Sequence, residues 1–251
     1  MPPLEHASVR NRLLATLSPD DFDRLQPGLM AIVLDMREML ISAQRAIEHV
    51  YFVETGVVSI IADQSDGRIE IGLIGPEGVV GTPILLGADR SPHSAMVQAE
   101  GTALRLPASA LRAAMDASPS LREILGRYVQ TMMVQIGQTA YANADLTIEG
   151  RLARWILMTQ DRLEQDELPL THEFLSIMLG VRRPGVTTAI HGLEGFGMIR
   201  ARRGQITVLD REKLLDLAGD AYGSAEAEYR RLILGAPDYR ATSSASGAAP
   251  S

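Results

Sequence analysis

The apolar positions of this chain change period along its length, and each change marks an element. Up to Leu34 the chain reads as helical: Ser18 caps and Pro19 opens a helix, Phe22 and Leu25 follow at helical spacing, and Pro27-Gly28 stops it. From Leu29 to Leu106 the texture turns to short strands at 31–34, 49–53, 56–61, 69–74, 94–99 and 102–106. Turns are expected at 54–56, 63–67 and 100–101, so the region reads as an all-β barrel or sandwich. Residues 108–117 read as a short helix, and Ser118-Pro119 starts a long one. In that long helix Leu121, Leu125, Tyr128, Met132, Gln135, Thr139 and Ala142 alternate spacings of four and three. Such a heptad-like stripe predicts a seam against a second copy, the other option being a helix packed on its own β domain.

The stretch 169–210 carries the most specific pattern. Thr171 caps a helix whose Phe174, Leu175, Met178 and Leu179 form one buried stripe, and Gly180 ends it in the left-handed position. Pro184 is suited to the first position of a second helix, with Val186, Ile190 and Leu193 inward. Arg182, Arg183, Gly185, Thr187 and Thr188 fall at its start or outer side, and Gly195 and Gly197 close it. Residues 198–201 and 205–209 then alternate as two strands about Arg202-Arg203-Gly204. Two helices on a tight turn, followed by a basic hairpin, predict a winged helix-turn-helix that reads double-stranded DNA. Two short helices, at 211–218 and 225–234, are expected beyond it, and the small polar run at 240–251 is expected to be disordered.

Charge sharpens this picture. Thr171 to Ile206 holds five arginines against two glutamates, a local positive excess inside a chain of net charge −7. That is the footprint of a nucleic-acid face in a protein that does not coat nucleic acid indiscriminately. At 251 residues, 46% of them hydrophobic, one large domain or two modest ones are expected. No run approaches the ~18 apolar residues of a membrane span, and the N-terminus lacks a signal-peptide pattern. The chain has no cysteine, which fits a cytoplasmic protein and excludes disulfides, a Cys-ligated iron–sulfur cluster and thiol catalysis within it. No metal-ligand cluster, nucleophile elbow or phosphate-binding loop is visible, and His172-Glu173 lacks a second histidine four residues on, so no enzyme is expected.

Taken in order, the entry helix with Leu13-Leu14, VYFVETGVVSI, GPEGVVG, HSAMVQAEG, the long helix, GRLARWIL and the winged helix-turn-helix resemble the Crp/Fnr family of bacterial transcription regulators. The resemblance runs from about Leu13 to Leu217. It implies an α+β fold: an effector-type β-roll of the cyclic-nucleotide-binding kind at 10–115, a dimerisation helix at 116–145 and a winged helix-turn-helix domain at 146–218. It also implies a homodimer on a near-palindromic site and RNA polymerase as a partner. The family's base-contacting arginine falls on Arg183, its neighbouring glutamate on Pro184 and a second reading arginine on Thr188. The operator is therefore expected to differ from that of the best-known members. Thr171, Arg182, Arg202 and Arg203 suit phosphate, which positions without specifying.

The resemblance also defines an effector pocket, at Gly78, Val79, Val80, Gly81, Thr82, His93, Ser94, Gln135 and Ile136. Cyclic-nucleotide-binding members place Gly-Glu in the phosphate turn and Arg-Ser a dozen or so residues on. Here the first pair is Gly78-Val79 or, as the alternative, Gly81-Thr82, the second is His93-Ser94, and the base-reading Thr-Ser is Ile136-Gly137. A buried phosphate without charged partners is costly, so control by cAMP is not expected. Relatives that sense with haem use histidine and an N-terminal proline. Pro2, His49 and His93 are the matching residue types, with ordinary surface residues as the favoured reading. The competing functional reading is a small-ligand or protein-interaction module whose DNA reader is vestigial.

Overall fold

Two apolar strands, much longer than the sequence pattern suggests, form the spine of the N-terminal half. In the computed structural model, which describes residues 4–64 and 67–236, helices α1 (Arg12–Ala15) and α2 (Pro19–Leu25) precede β1 (Met30–Leu34) and β2 (Met39–Ile41). The spine strands are β3 (His49–Gln64) and β6 (Ser94–Pro107); between them lie β4 (Gly67–Ile74), β5 (Val79–Val80) and α3 (Thr82–Leu85). Then come α4 (Ala108–Ala117), α5 (Pro119–Asp145) and α6 (Ile148–Leu163). The C-terminal part holds β7 (Glu167–Leu168), α7 (His172–Leu179), α8 (Arg183–Gly195), β8 (Ile199–Arg202), β9 (Gln205–Val208), α9 (Arg211–Ala218) and α10 (Ser224–Leu232).

The sheet order β1-β6-β3-β4 is antiparallel, with β2 joining β6 and β5 joining β3. Residues 54–56 and 100–101 are not turns, contrary to the sequence expectation: β3 and β6 pass straight through them, paired from His49↔Pro107 to Ile61↔Ser94. The register shifts three times between Val53 and Val58, so the turn-like residues make bulges that bend the pair. Gly56 has φ +85°, and a Cβ there would lie 2.5 Å from the Ala99 carbonyl oxygen, so backbone meets backbone at the bend. The buried Asn11 fixes the N-terminal helices to this point, its Nδ2 donating to the carbonyls of Val53 (2.7 Å) and Gly78 (2.8 Å). The expected helical character ends by Gly28, ahead of β1, and the expected turn at 63–67 falls partly on residues 65–66, outside the described residues.

Both faces of this sheet are covered, which is why the run at Val57, Val58, Ile60 and Ile61 does not alternate with polar residues. Val58, Ile74, Ala95 and Val97 enter a core shared with α1, α2, α4 and the first half of α5. Val57, Ile61, Leu73, Met96 and Ala99 enter a second core with α6, α7, α8, α9 and the C-terminal sheet. The DNA-reading part is thus seated on the outer face of the β-roll. A buried polar cluster lies in that seat: Trp155 Nε1 donates to Glu70 Oε1 (2.9 Å), and Ser59 Oγ donates to Gln98 Oε1 (2.6 Å). Burial pushes the Glu70 carboxyl up to about 8 against the opposing pull of Ser59, Trp155 and two arginines.

The long helix requires a correction. Leu121, Leu125, Tyr128, Met132 and Gln135 are buried inside this chain, and Thr139 is half-buried, so they are no seam for a second copy. Gln135 instead stitches α5 to β4, its amide accepting from Leu73 N (2.7 Å) and donating to Leu73 O (3.1 Å). The heptad spacing reports a helix laid on its own β-roll, for which the same period serves. At its start Ser118 caps Leu121 N and also donates to the buried Asp21 (2.5 Å), which Ser120 and Ser18 reach as well. The expected helices at 211–218 and 225–234 appear as α9 and α10, while the tail at 240–251 lies outside the described residues.

Candidate nucleic-acid interface

Local signals place the reading elements. Thr171 Oγ1 accepts from Phe174 N (3.2 Å) and starts α7; Gly180, at φ +60°, ends it. Gly180 also faces Ile69 of β4, where a Cβ would come within 2.9 Å of the Ile69 side chain. α8 begins at Arg183, one residue earlier than expected, so Pro184 holds its second position, where a missing N–H is equally harmless. Val186, Ala189, Ile190 and Leu193 are buried against the second core, which turns the opposite side of α8 outward. The wing has three strands rather than two, because β7 adds to β9 through Leu168↔Ile206. β8 and β9 close on a two-residue turn at Arg203-Gly204, flanked by the pair Arg202↔Gln205, with Gly204 at φ +75°.

The arginines expected at this face are exposed and available. Arg182, Arg200, Arg202 and Arg203 form no ion pair among the described residues. Arg183 lies 3.6 Å from Glu173, with side chains 66% and 55% exposed, a contact too solvated to hold it. The same Glu173 carboxylate is 3.7 Å from Arg37 of the β-roll. Thr187 and Thr188 donate to the carbonyls of Arg183 and Pro184 (3.1 Å each); Thr188 is exposed, whereas Thr187 and Gly185 are half-buried and Thr187 Oγ1 also lies 3.2 Å from His172 Nδ1. Helix start, outer helix face and wing tip therefore present donors and positive charge on adjoining elements.

The expected effector pocket is not gathered in this way. Val79 and Val80 are core residues paired with Phe52 and Tyr51, whereas Ser94 pairs with Ile61 toward the other end of β3. Gly78 packs against Tyr128, Gly81 against Val50, and Ser94 donates to Asp63 (2.8 Å). Thr82 and His93 are half-buried, and Ile136 is exposed while its neighbour Gln135 is bound to β4. His49 and His93 likewise sit by opposite ends of β3, and Pro2 lies outside the described residues. Among the described residues no group of three or more His, Asp or Glu could hold a metal, and no helix is long and apolar enough to cross a membrane.

One concavity escaped the sequence reading. Where the β-roll, α5, α6, α9 and α10 meet, Arg162 Nε lies 2.8 Å from Glu77 and Arg211 lies 2.8 Å from Asp161, at the edge of a cavity of about 400 Å³. Its residues are scattered from Arg12 to Leu234, and no local spacing links them.

A bent antiparallel roll, a long helix and a winged helix-turn-helix define a sensor-type domain fused to a DNA reader. A family model described as a cyclic nucleotide-binding domain matches residues 32–118, and one described as a Crp-like helix-turn-helix domain matches residues 150–217. With both matched in this order over more than half of its length, the chain belongs to the Crp/Fnr family of transcription regulators and carries that family's DNA-binding domain. Solved structures agree on the fold. TTHB099, a CRP-family transcriptional regulator from Thermus thermophilus, superposes with TM-score 0.66 at 18% identity, over 77% of this chain and 99% of its own. The c-di-GMP-responsive global regulator CLP of Xanthomonas campestris gives 0.64 at 16%, over 76% and 99%. FixK2 from Bradyrhizobium japonicum gives 0.61 at 20%, over 76% and 98%. No curated protein sequence matches the chain.

Proposed function

We propose that this regulator acts as a homodimer on a near-palindromic DNA site and that its effector domain does not bind cAMP. The observation that carries the reading is the set of exposed arginines on α8 and the wing, in an otherwise acidic chain. Arg183 takes a guanine edge, Thr187 and Thr188 meet bases or thymine methyl groups, and Gly185 allows close approach. Thr171, Arg182, Arg202 and Arg203 hold phosphates.

Dimerisation is assigned to the outer face of α5. There Gly126, Gln130, Met133, Gly137, Ala140 and Ala144 repeat at spacings of four and three, and Met133 (63%), Ile136 (39%) and Tyr141 (45%) are exposed. That stripe, exposed in the single chain although Gln130 hydrogen-bonds Glu228 of α10, supports a two-helix seam. Two readers about 34 Å apart would then enter successive major grooves. The domain division at 10–115, 116–145 and 146–218 is retained as part of this reading, supported by the caps at Ser118 and Thr147. RNA polymerase as partner and action in the cytoplasm carry over from the family resemblance. The reading that cAMP is not bound is supported by the closed, apolar environment of Val79 and Val80, which offers a cyclic phosphate no charge.

Selection of bound duplexes from a random library tests the DNA reading, without ligand and again with cell extract. Enrichment of an inverted repeat with half-sites about one helical turn apart supports it. Absence of enrichment in both selections overturns it. Sedimentation of Met133→Asp tests the seam separately: this variant should be monomeric where the parent is dimeric.

A further inference from the structure

We propose that the cavity between the β-roll, α5 and α10 binds a small organic anion with an aromatic or short acyl body. The site is distinct from the effector pocket of the family resemblance and shares only Gln135 with it. It is built by the part of the chain that follows the winged helix. α10 leaves the DNA-reading domain and returns to the β-roll, where Tyr229 and Ile233 enter the first core. Tyr229 also donates its hydroxyl to the Glu77 carbonyl (2.8 Å), which closes the strap over the cavity.

The chemistry of the walls selects the ligand. Tyr128, Tyr222 and Tyr229 line the cavity, with the Arg211 guanidinium over the Tyr222 ring at 5.8 Å, and their hydroxyls are already committed, to Val79 O, Asp161 and Glu77 O. Two of the three acids are committed too. Glu77 faces Arg162 at 2.8 Å and Asp161 faces Arg211 at 2.8 Å, while Glu226 accepts from the Gly223 N–H at 3.1 Å and keeps its charge. Arg230 lines the same cavity, is exposed and makes no ion pair or side-chain hydrogen bond among the described residues. Arg12 lines it as well, its ion pair among the described residues being with the exposed Glu164. Four arginines against three carboxylates give the lining a net positive charge of one, beside the tyrosine rings. At about 400 Å³ the space is at the lower end of small-molecule pockets. A carboxylate or sulfonate on Arg230, with its body on the tyrosines, uses each of these features. Such a ligand would touch both domains, so its occupancy would favour one relative placement of the DNA reader. The inference stands independently of the operator and the dimer.

The test is direct binding to the full chain, free of DNA. The probe is 1-anilinonaphthalene-8-sulfonate, read by fluorescence and competed with benzoate or with neutral benzyl alcohol. One saturable site per chain is expected, displaced by benzoate and not by the alcohol. Arg230→Gln should weaken the probe about tenfold, the scale of one charge-assisted hydrogen bond, while Arg90→Gln on the far β-roll loop should not. Unfolding curves check that each variant is folded. Unchanged affinity in Arg230→Gln, or equal competition by benzyl alcohol, would overturn the proposal. Leu234→Arg, which adds charge at the rim of the cavity, provides a second reading: tighter binding supports the site, and no change counts against it.

Discussion

Arg162 and Arg183 carry the same side chain and are used in opposite ways. Arg162 is 8% exposed and faces a carboxylate that is itself only 15% exposed. Burial alone would lower its proton affinity, but the charges of Glu77, Glu226 and Asp161 together outweigh that and hold the guanidinium ionised. Arg183 is 66% exposed, beside an acid that water screens. A buried charge must be paired, so its energy is committed to holding domains together. An exposed one keeps its field for whatever arrives, and on a helix-turn-helix that is DNA.

The sharpest break of this contrast is Arg162→Met. It leaves Glu77 buried without its partner, so a loss of about 3–5 kcal/mol is expected in urea unfolding. Glu77→Gln on the same background should restore part of it. A loss under ~1 kcal/mol would mean that the pair contributes little to the domain seat. Arg183→Ala should do the reverse. Stability should stay within about 0.5 kcal/mol of the parent, while discrimination between operator and competitor DNA falls by about 1–3 kcal/mol in a binding titration. Equal loss on every sequence would reassign Arg183 to phosphate.

Glu70 lies on the buried side of the comparison but forms no ion pair among the described residues. Its folded-state value, about 8, stands above the ordinary carboxyl value, so the native protein keeps a proton that the unfolded chain releases. Stability from this group is complete below the unfolded value near 4.5 and falls as pH rises toward 8. Glu70→Gln keeps an acceptor for Trp155 and should flatten that slope, making the variant about 1–2 kcal/mol more stable than the parent at pH 8. Parallel melting curves across pH would count against a protonated Glu70. The smallest effects belong to the wing: Arg202→Ala and Arg203→Ala should each lower the salt dependence of DNA binding by about one counterion and leave unfolding unchanged.

The helices and caps of the reader were legible because their signals are local. Thr171, Gly180, Pro184 and the stripe from Phe174 to Leu193 specify backbone geometry within a few residues of themselves. Ser18-Pro19 and Ser118-Pro119 marked helix starts for the same reason. The β-roll was legible as strands but not as two bent ones. A Gly-containing segment reads alike as a turn or as a bulge until a partner strand supplies the register, and here Gly56 meets Ala99 and Gly101 meets Thr55.

The sequence by itself determined the class of protein, the order of its parts and the clustering of arginines on the helix-turn-helix and wing, since period, capping and charge are properties of neighbouring residues. Only the tertiary structure decided which way α5 faces. A heptad stripe states that one side is covered and is silent about what covers it; the β-roll reaches Leu121, Leu125 and Tyr128 first, which leaves Met133 and Tyr141 outward. The cavity under α10 was decided at the same level. Arg12, Glu77, Arg162 and Arg230 come from four separate stretches of chain, and their joint chemistry arises only when packing of both domains brings those stretches to one point.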